Sequence, residues 1–201
     1  MNAKGSSESD NDTQSLKFFD DVARLVHEIG RTMCVALDQG HAAVCVVTPA
    51  TRDLLENLLR ERGIDVDDMR CRGQYVHLDA AEALDTIAPE RKGPDSSRFD
   101  ATIGVLVDRL AKTYPRVWMY GELAGLMWMG GNRTGAVALE KMWASFADTH
   151  PVCLTVAFPL EVLSYPAVAD EIHQVVADQI RILAKDSPLA LAIRHGPSSV
   201  T

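Results

Sequence analysis

A continuous apolar run, AAVCVVT at residues 42–48, limits the possible folds of this chain more than any other segment. A strand with one solvated face would alternate apolar and polar side chains, but this run has no polar position before its last residue. Strands that are apolar throughout are buried on both faces, which is typical of parallel sheets covered by helices. The run therefore predicts a parallel sheet with a helical layer on each side.

Strand-like and helix-like segments alternate about five times along the chain. The strand-like segments are 16–19, 42–48, 74–78, 117–120 and 152–158. Helical spacing of apolar residues predicts helices over 22–37, 50–62, 80–87 and 123–129, one around Phe99–Leu110, one capped by Asn132, and a last one over 168–183. This order predicts a three-layer α/β domain with a mostly parallel sheet of about five strands and helices on both faces.

The chain of 201 residues is long enough for one domain, and its 47% hydrophobic residues can build a core that needs no disulfides or metal ions to stabilise it. Residues 1–14 are rich in Ser, Asp and Asn and are expected to be a disordered tail. We expect the domain over residues 15–185 and a flexible tail over 186–201. Leu54, Leu55, Leu58 and Leu59 are the predicted buried stripe of the second helix.

The net charge of −8 argues against nucleic-acid binding, because phosphate recognition needs a basic surface. No apolar run is long enough to span a membrane, and the polar start lacks the apolar core of a signal peptide. We therefore expect a cytoplasmic protein. The six histidines lack metal-ligand spacing, so neither a metal nor a cofactor is expected. The four cysteines form no CxxC pair and are predicted to be free buried thiols: Cys34, Cys45, Cys71 and Cys153.

Ligands of parallel α/β sheets bind at the carboxyl ends of the strands. The strand pattern places these residues there: Phe19, Asp20, Asp21, Thr48, Asp79, Glu122 and Phe158. Enzymatic and nucleotide-binding signatures are missing, since there is no P-loop, no GxGxxG fingerprint and no GxSxG elbow. Gly130-Gly131-Asn132 precedes a helix and could hold an anion, but a helix break with an N-cap explains it more simply.

Glu122 is the most informative single residue at this edge. It follows an apolar strand and opens an apolar helix, where the carboxylates of α/β enzymes often lie. A ligand contact and a first-turn acidic residue that stabilises the helix both explain it, and catalysis is the weaker alternative. Trp128 and Trp143 follow helical stripes that favour a core position, and Glu140 is expected to face solvent.

These residues resemble the MEDS domain, the methanogen/methylotroph sensory domain named after the dichloromethane-responsive regulator. The resemblance covers Gln14 to about Val162. It rests on an ordered series of segments: KFFDDV, VCVVTPATRDLLENLL, RGIDVDDMRCRGQYVHLDAAEALD, YGELAGLMWMGGN, ALEKMWASFADTHP and LTVAFPLEV. The chain departs from the family pattern at Gln14, where the family commonly has His, and at Phe158-Pro159, where it usually has Tyr-Pro.

The resemblance implies a relative of the RecA/KaiC-like fold that has lost its phosphate loop, with KFFDDV in the place of that loop. It also implies a sensory role in signal transduction or transcription regulation. The negative charge and the lack of a long apolar run lead us to expect no direct nucleic-acid or membrane contact. Because only a helix and a tail are expected after residue 165, we expect output through a separate signalling protein, and a homo-oligomer is left open. We expect an unidentified small organic ligand near Phe19, Asp20, Thr48, Glu122, Trp128 and Phe158. A nucleotide binder with residual ATPase-like activity and an interaction scaffold with a vestigial pocket are the alternatives.

Overall fold

The computed structural model of the chain describes residues 14–89, 93–160 and 180–182. Its strands are β1 (Gln14–Phe19), β2 (Ala42–Val47), β3 (Tyr75–Asp79), β4 (Val117–Gly121), β5 (Val152–Pro159) and the short β6 (Ile180–Ile182). They form one sheet in the order β3-β2-β4-β5-β1-β6, and every neighbouring pair is parallel. The predicted parallel α/β sheet is thus confirmed.

The helices lie on both faces of this sheet. They are α1 (Val22–Asp38), α2 (Pro49–Glu61), α3 (Val66–Cys71), α4 (Ala80–Ile87), α5 (Ser96–Phe99), α6 (Val105–Ala111), α7 (Leu123–Met129) and α8 (Arg133–Thr149), with a π-helical segment, Asp100–Gly104, joining α5 to α6. One core contains Ala43, Cys45 and Val47 with α1, α2 and α3. The other contains Ala42, Val44 and Val46 with α4 to α8. Side chains of β2 therefore alternate between two cores, and all six are buried.

Several helix starts agree with the capping residues in the sequence. The side chain of Asn132 accepts a hydrogen bond from the amide of Gly135 and caps α8, as predicted. Asp79 accepts from the amides of Ala81 and Glu82 at the start of α4. Asp79 is thereby occupied as a helix cap, although the pattern had grouped it with the ligand edge.

Three details differ from the sequence-based expectations. Most of the predicted helix over 168–183 lies outside the described residues, but Ile180–Ile182 form a strand beside β1, so its end was wrong. Leu54 is 49% exposed because the buried face of α2 is narrower than the four-leucine stripe. Cys71 is exposed, whereas the other three cysteines are buried, and all four are free.

The predicted tails, 1–14 and 186–201, lie outside the described residues except for Gln14. Among the helices of the described ranges, none combines the length and apolar character that crossing a membrane requires.

Candidate functional site

The connections from β2 and β4 leave the sheet on opposite faces. After β2 the chain enters α2, which packs in the core of α1 to α3, whereas after β4 it enters α7, which packs in the other core. β2 and β4 are neighbours in the sheet. Such a divergence opens a crevice at the carboxyl ends of the two strands, which is the usual ligand position in open α/β sheets.

A cavity of about 570 Å³ lies at this crevice. It extends from β2 and β4 across to the ends of β1 and β5. It is lined by Phe19, Asp20, Val22, Leu25, Thr48, Thr51, Glu122, Gly125, Leu126, Met129, Ala157, Pro159 and Leu160. Most of these side chains are apolar, and the polar ones carry only oxygen atoms. The size and the mostly apolar lining are those of small-molecule sites.

Glu122 and Thr48 are joined across the crevice. The backbone amide of Thr48 donates a hydrogen bond to Glu122 Oε2 at 2.9 Å. The amide of Glu122 donates in turn to the carbonyl of Val46 at 2.9 Å, so the ends of β2 and β4 are held together from both sides. Glu122 precedes α7 but makes no side-chain capping bond to it. The interpretation of Glu122 as a simple stabiliser of its own helix is therefore not supported by its hydrogen bonds.

Tyr120 supports the carboxylate of Glu122 from inside the sheet. Its hydroxyl donates to Glu122 Oε1 at 3.1 Å, and its side chain is buried. Burial raises the pKa of Tyr120 well above the ordinary value, and the charge of Glu122 and their hydrogen bond raise it further. The phenol thus stays protonated and remains a donor. Each carboxylate oxygen of Glu122 accepts one bond and keeps capacity for another.

The first turns of α1 and α2 at the cavity are capped by the chain's own oxygens. Asp21 Oδ1 accepts from the amides of Ala23 and Arg24 at 2.8 and 3.4 Å. Thr48 Oγ1 accepts from the amide of Thr51 at 3.4 Å and also contacts the Thr51 hydroxyl at 3.1 Å. These amides would otherwise be available to an anion. Here they are already bonded within the protein.

Four of the six predicted ligand-binding residues line the cavity: Phe19, Asp20, Thr48 and Glu122. Phe158 does not, because side chains alternate along β5 and those of Ala157 and Pro159 face the cavity instead. Phe158 is fully buried on the other face, with its ring centroid 6.4 Å from that of Phe18. Trp128 is buried in the same core, with the Arg133 guanidinium 5.4 Å from its ring.

Tyr120 and Thr51 also belong to this site, and neither was predicted from the sequence. Tyr120 lies in β4 two residues before Glu122, which follows the strand directly, and this spacing, which places side chains on one side of a strand, was a usable signal. Thr51 lies one helical turn after Thr48, which is the spacing of a hydroxyl that accompanies a helix cap. The contribution of β5 through Ala157 and Pro159 could not be read from spacing, because it depends on strand order.

A second carboxylate, Glu140, lies in the core instead of facing solvent as expected. It is 0% exposed, and neither of its oxygens has a hydrogen-bond partner among the described residues. Burial raises the pKa of Glu140 from 4.5 to about 8. The expectation was wrong because α8 buries a wide face that includes Val137 and Ala147 as well as the stripe of Leu139 and Trp143.

The described residues contain no group of three or more His, Cys, Asp or Glu side chains that could hold a metal ion. A family model described as the methanogen/methylotroph, DcmR sensory domain (MEDS) matches residues 17–175. The match takes in all of the strands β2 to β5 and every cavity residue. No curated protein matches the sequence.

Proposed function

This chain belongs to the MEDS family of sensory domains, and from that premise we propose that it is a non-catalytic module that binds a small organic ligand in the strand-end cavity. Ligand binding regulates a separate signalling protein, which controls transcription or a signalling cascade. The observation that carries this proposal is the cavity of about 570 Å³ at the crevice between β2 and β4.

The composition of the cavity favours binding over catalysis. Among the described lining residues, Glu122 is the only carboxylate tied into a hydrogen-bond network, and its two donors are the Thr48 amide and the Tyr120 hydroxyl. A hydroxyl nucleophile needs an adjacent base within hydrogen-bond reach to activate it. The neighbouring polar groups are the hydroxyls of Thr48 and Thr51, which bond to each other. This arrangement supports recognition of a ligand without chemical conversion.

Nucleotide binding receives less support from the same geometry. Phosphates need backbone amides and cationic side chains. The amide of Thr48 is bonded to Glu122, and the part of the cavity lining that the structure describes contains no Lys, Arg or His. Calorimetry with ATP and magnesium is expected to detect no binding. Micromolar affinity that is lost in Glu122→Ala would favour the nucleotide-binding alternative.

A ligand in this cavity would touch elements from distant parts of the chain. Val22 and Leu25 come from α1, Leu126 and Met129 from α7, and Pro159 from the end of β5. α7 is short and begins directly after Glu122, so a ligand that contacts Glu122, Leu126 and Met129 can shift the whole helix. Such a shared boundary is a physical route by which occupancy of the cavity alters the surface that a partner meets.

Native mass spectrometry of freshly purified protein tests the proposal. We expect a bound organic molecule that is lost in Ala157→Leu, because the larger side chain fills the cavity from β5. Ala101→Leu is the matched control, since Ala101 is exposed and lies outside the cavity. The proposal fails if neither protein carries a molecule and none of a panel of aliphatic and aromatic compounds binds. It also fails if Ala157→Leu retains the same molecule as the control.

A further inference from the structure

We propose that the cavity selects a cationic ligand, namely an organic ammonium group on an apolar body. This inference rests on the proposed function, because it assigns a chemical class to the ligand of the same cavity. It goes further by stating which charge the ligand carries and which residues recognise it.

The polar part of the lining offers only hydrogen-bond acceptors and hydroxyls. It consists of two carboxylates, Asp20 and Glu122, and two hydroxyls, Thr48 and Thr51, with no side-chain nitrogen among the described lining residues. Asp20 is exposed and makes no hydrogen bond or ion pair with another described residue. Glu122 has already taken its internal donors and keeps lone-pair capacity toward the cavity. A ligand group that satisfies these oxygens must donate hydrogen bonds.

The helix starts around the cavity reinforce this preference. In most parallel α/β domains the positive ends of helices attract anions at this edge. In this chain Asp21 takes the first amides of α1, and Glu122 takes the amide of Thr48 at the start of α2. At these two helices the chain's own carboxylates thus occupy positions that an anionic ligand would need, and they repel a second negative charge.

An inorganic cation fits this lining poorly. Calcium and magnesium require six or more oxygen ligands in a defined geometry. The described residues contain no cluster of three acidic, His or Cys side chains that could hold a metal. The remaining walls are apolar, and they include Phe19, whose ring can interact with an organic cation. An ammonium group attached to a hydrocarbon body matches both parts of the cavity.

Three probes with the same aryl-ethyl body separate the charge from the hydrocarbon. They are 2-phenylethylammonium, neutral 2-phenylethanol and anionic 3-phenylpropanoate, titrated against the full chain and followed by amide shifts in NMR spectra. We expect the ammonium to bind at least about tenfold more tightly than the alcohol, and the carboxylate to bind more weakly than either. Perturbed amides should include those of Thr48 and Gly125 at the cavity.

Glu122→Gln keeps the shape of the side chain and should reduce the preference for the ammonium by about tenfold. Glu82→Gln is the matched control, because Glu82 is an exposed carboxylate outside the cavity and its loss changes the net charge equally. Thermal melts establish that both variants are folded. A control variant that loses the preference equally would assign it to overall charge and would overturn the inference.

The outcomes distinguish this inference from the proposed function. If the alcohol or the carboxylate binds as tightly as the ammonium at the same amides, the cavity binds small molecules but the charge assignment is wrong. If none of the three probes shifts any amide of the cavity, the charge assignment fails, and the search for a bound molecule by mass spectrometry decides the proposed function separately.

Discussion

Replacement of Glu140 by Gln should make the stability of the protein less dependent on pH. Glu140 is fully buried with no hydrogen-bond partner among the described residues, and burial raises its pKa from 4.5 to about 8. The folded protein therefore retains a proton that the unfolded chain releases between these two pH values. The contribution of this group to stability is favourable at low pH and is lost as the pH rises toward the folded pKa.

The size of the effect follows from the shift. Each pH unit between the two pKa values changes the free energy of unfolding by about 1.36 kcal/mol per group. Relative to a variant with a neutral side chain, the free energy of unfolding of the parent should thus fall by on the order of 3 kcal/mol by pH 7 and by about 5 kcal/mol above pH 8. The glutamine side chain has nearly the shape of the protonated acid, so the two proteins should have similar stability near pH 4.5.

Urea unfolding of the parent and Glu140→Gln at pH 5, 6, 7 and 8 measures this difference directly. Effects of other titrating groups cancel, because they are common to both proteins. Glu82→Gln, which replaces an exposed carboxylate, serves as the control and should follow the parent at every pH. The reasoning is refuted if the free energies of the parent and Glu140→Gln remain parallel from pH 5 to pH 8.

Two further substitutions test the local structure. Tyr120→Phe removes a buried donor to Glu122 and should lower the free energy of unfolding, measured in urea, by about 1–3 kcal/mol. Unchanged stability would show that this hydrogen bond does not stabilise the fold. Gly131 has φ +85° with nothing within 4 Å of an added Cβ, so Gly131→Ala should destabilise by about 1 kcal/mol through backbone strain alone, and Gly131→Asn by less. Equal stability of the Ala and Asn variants would contradict the strain argument.

The sheet and its helices followed from the sequence because their signals are local. The apolar run at 42–48 predicted a buried parallel strand, and β2 is buried at every position. Pro49 and Gly63 bracket α2 closely, and α4 and α7 begin and end where the apolar spacing placed them. Local steric and capping preferences fix these boundaries, so neighbouring residues suffice to find them.

Properties that depend on tertiary contacts were beyond the sequence. Glu140 lies four residues after Ala136 and three before Trp143, so helical spacing does place it on the buried face of α8, and its polarity alone suggested exposure to solvent. The sequence placed the cavity at the strand ends and identified Thr48 and Glu122 as part of it. It could not identify Pro159, because Pro159 reaches the cavity only through the order of the strands in the sheet. Phe158 was expected at the same edge because it lies near the end of β5. That expectation ignored the face of the sheet on which its side chain lies, which is the face opposite the cavity.

The position of β1 within the sheet affects how the protein is made. Among the described strands β1 is synthesised first, yet both its neighbours, β5 and β6, are synthesised last, and Gln14 is in register with Leu154. At ordinary translation rates the ribosome takes on the order of ten seconds to reach β5. During that time Phe18, which is fully buried in the finished domain, has no strand to pair beside it. β1 therefore emerges before either of its partner strands, and closure of the sheet is a late, non-local step that local helix formation cannot accelerate.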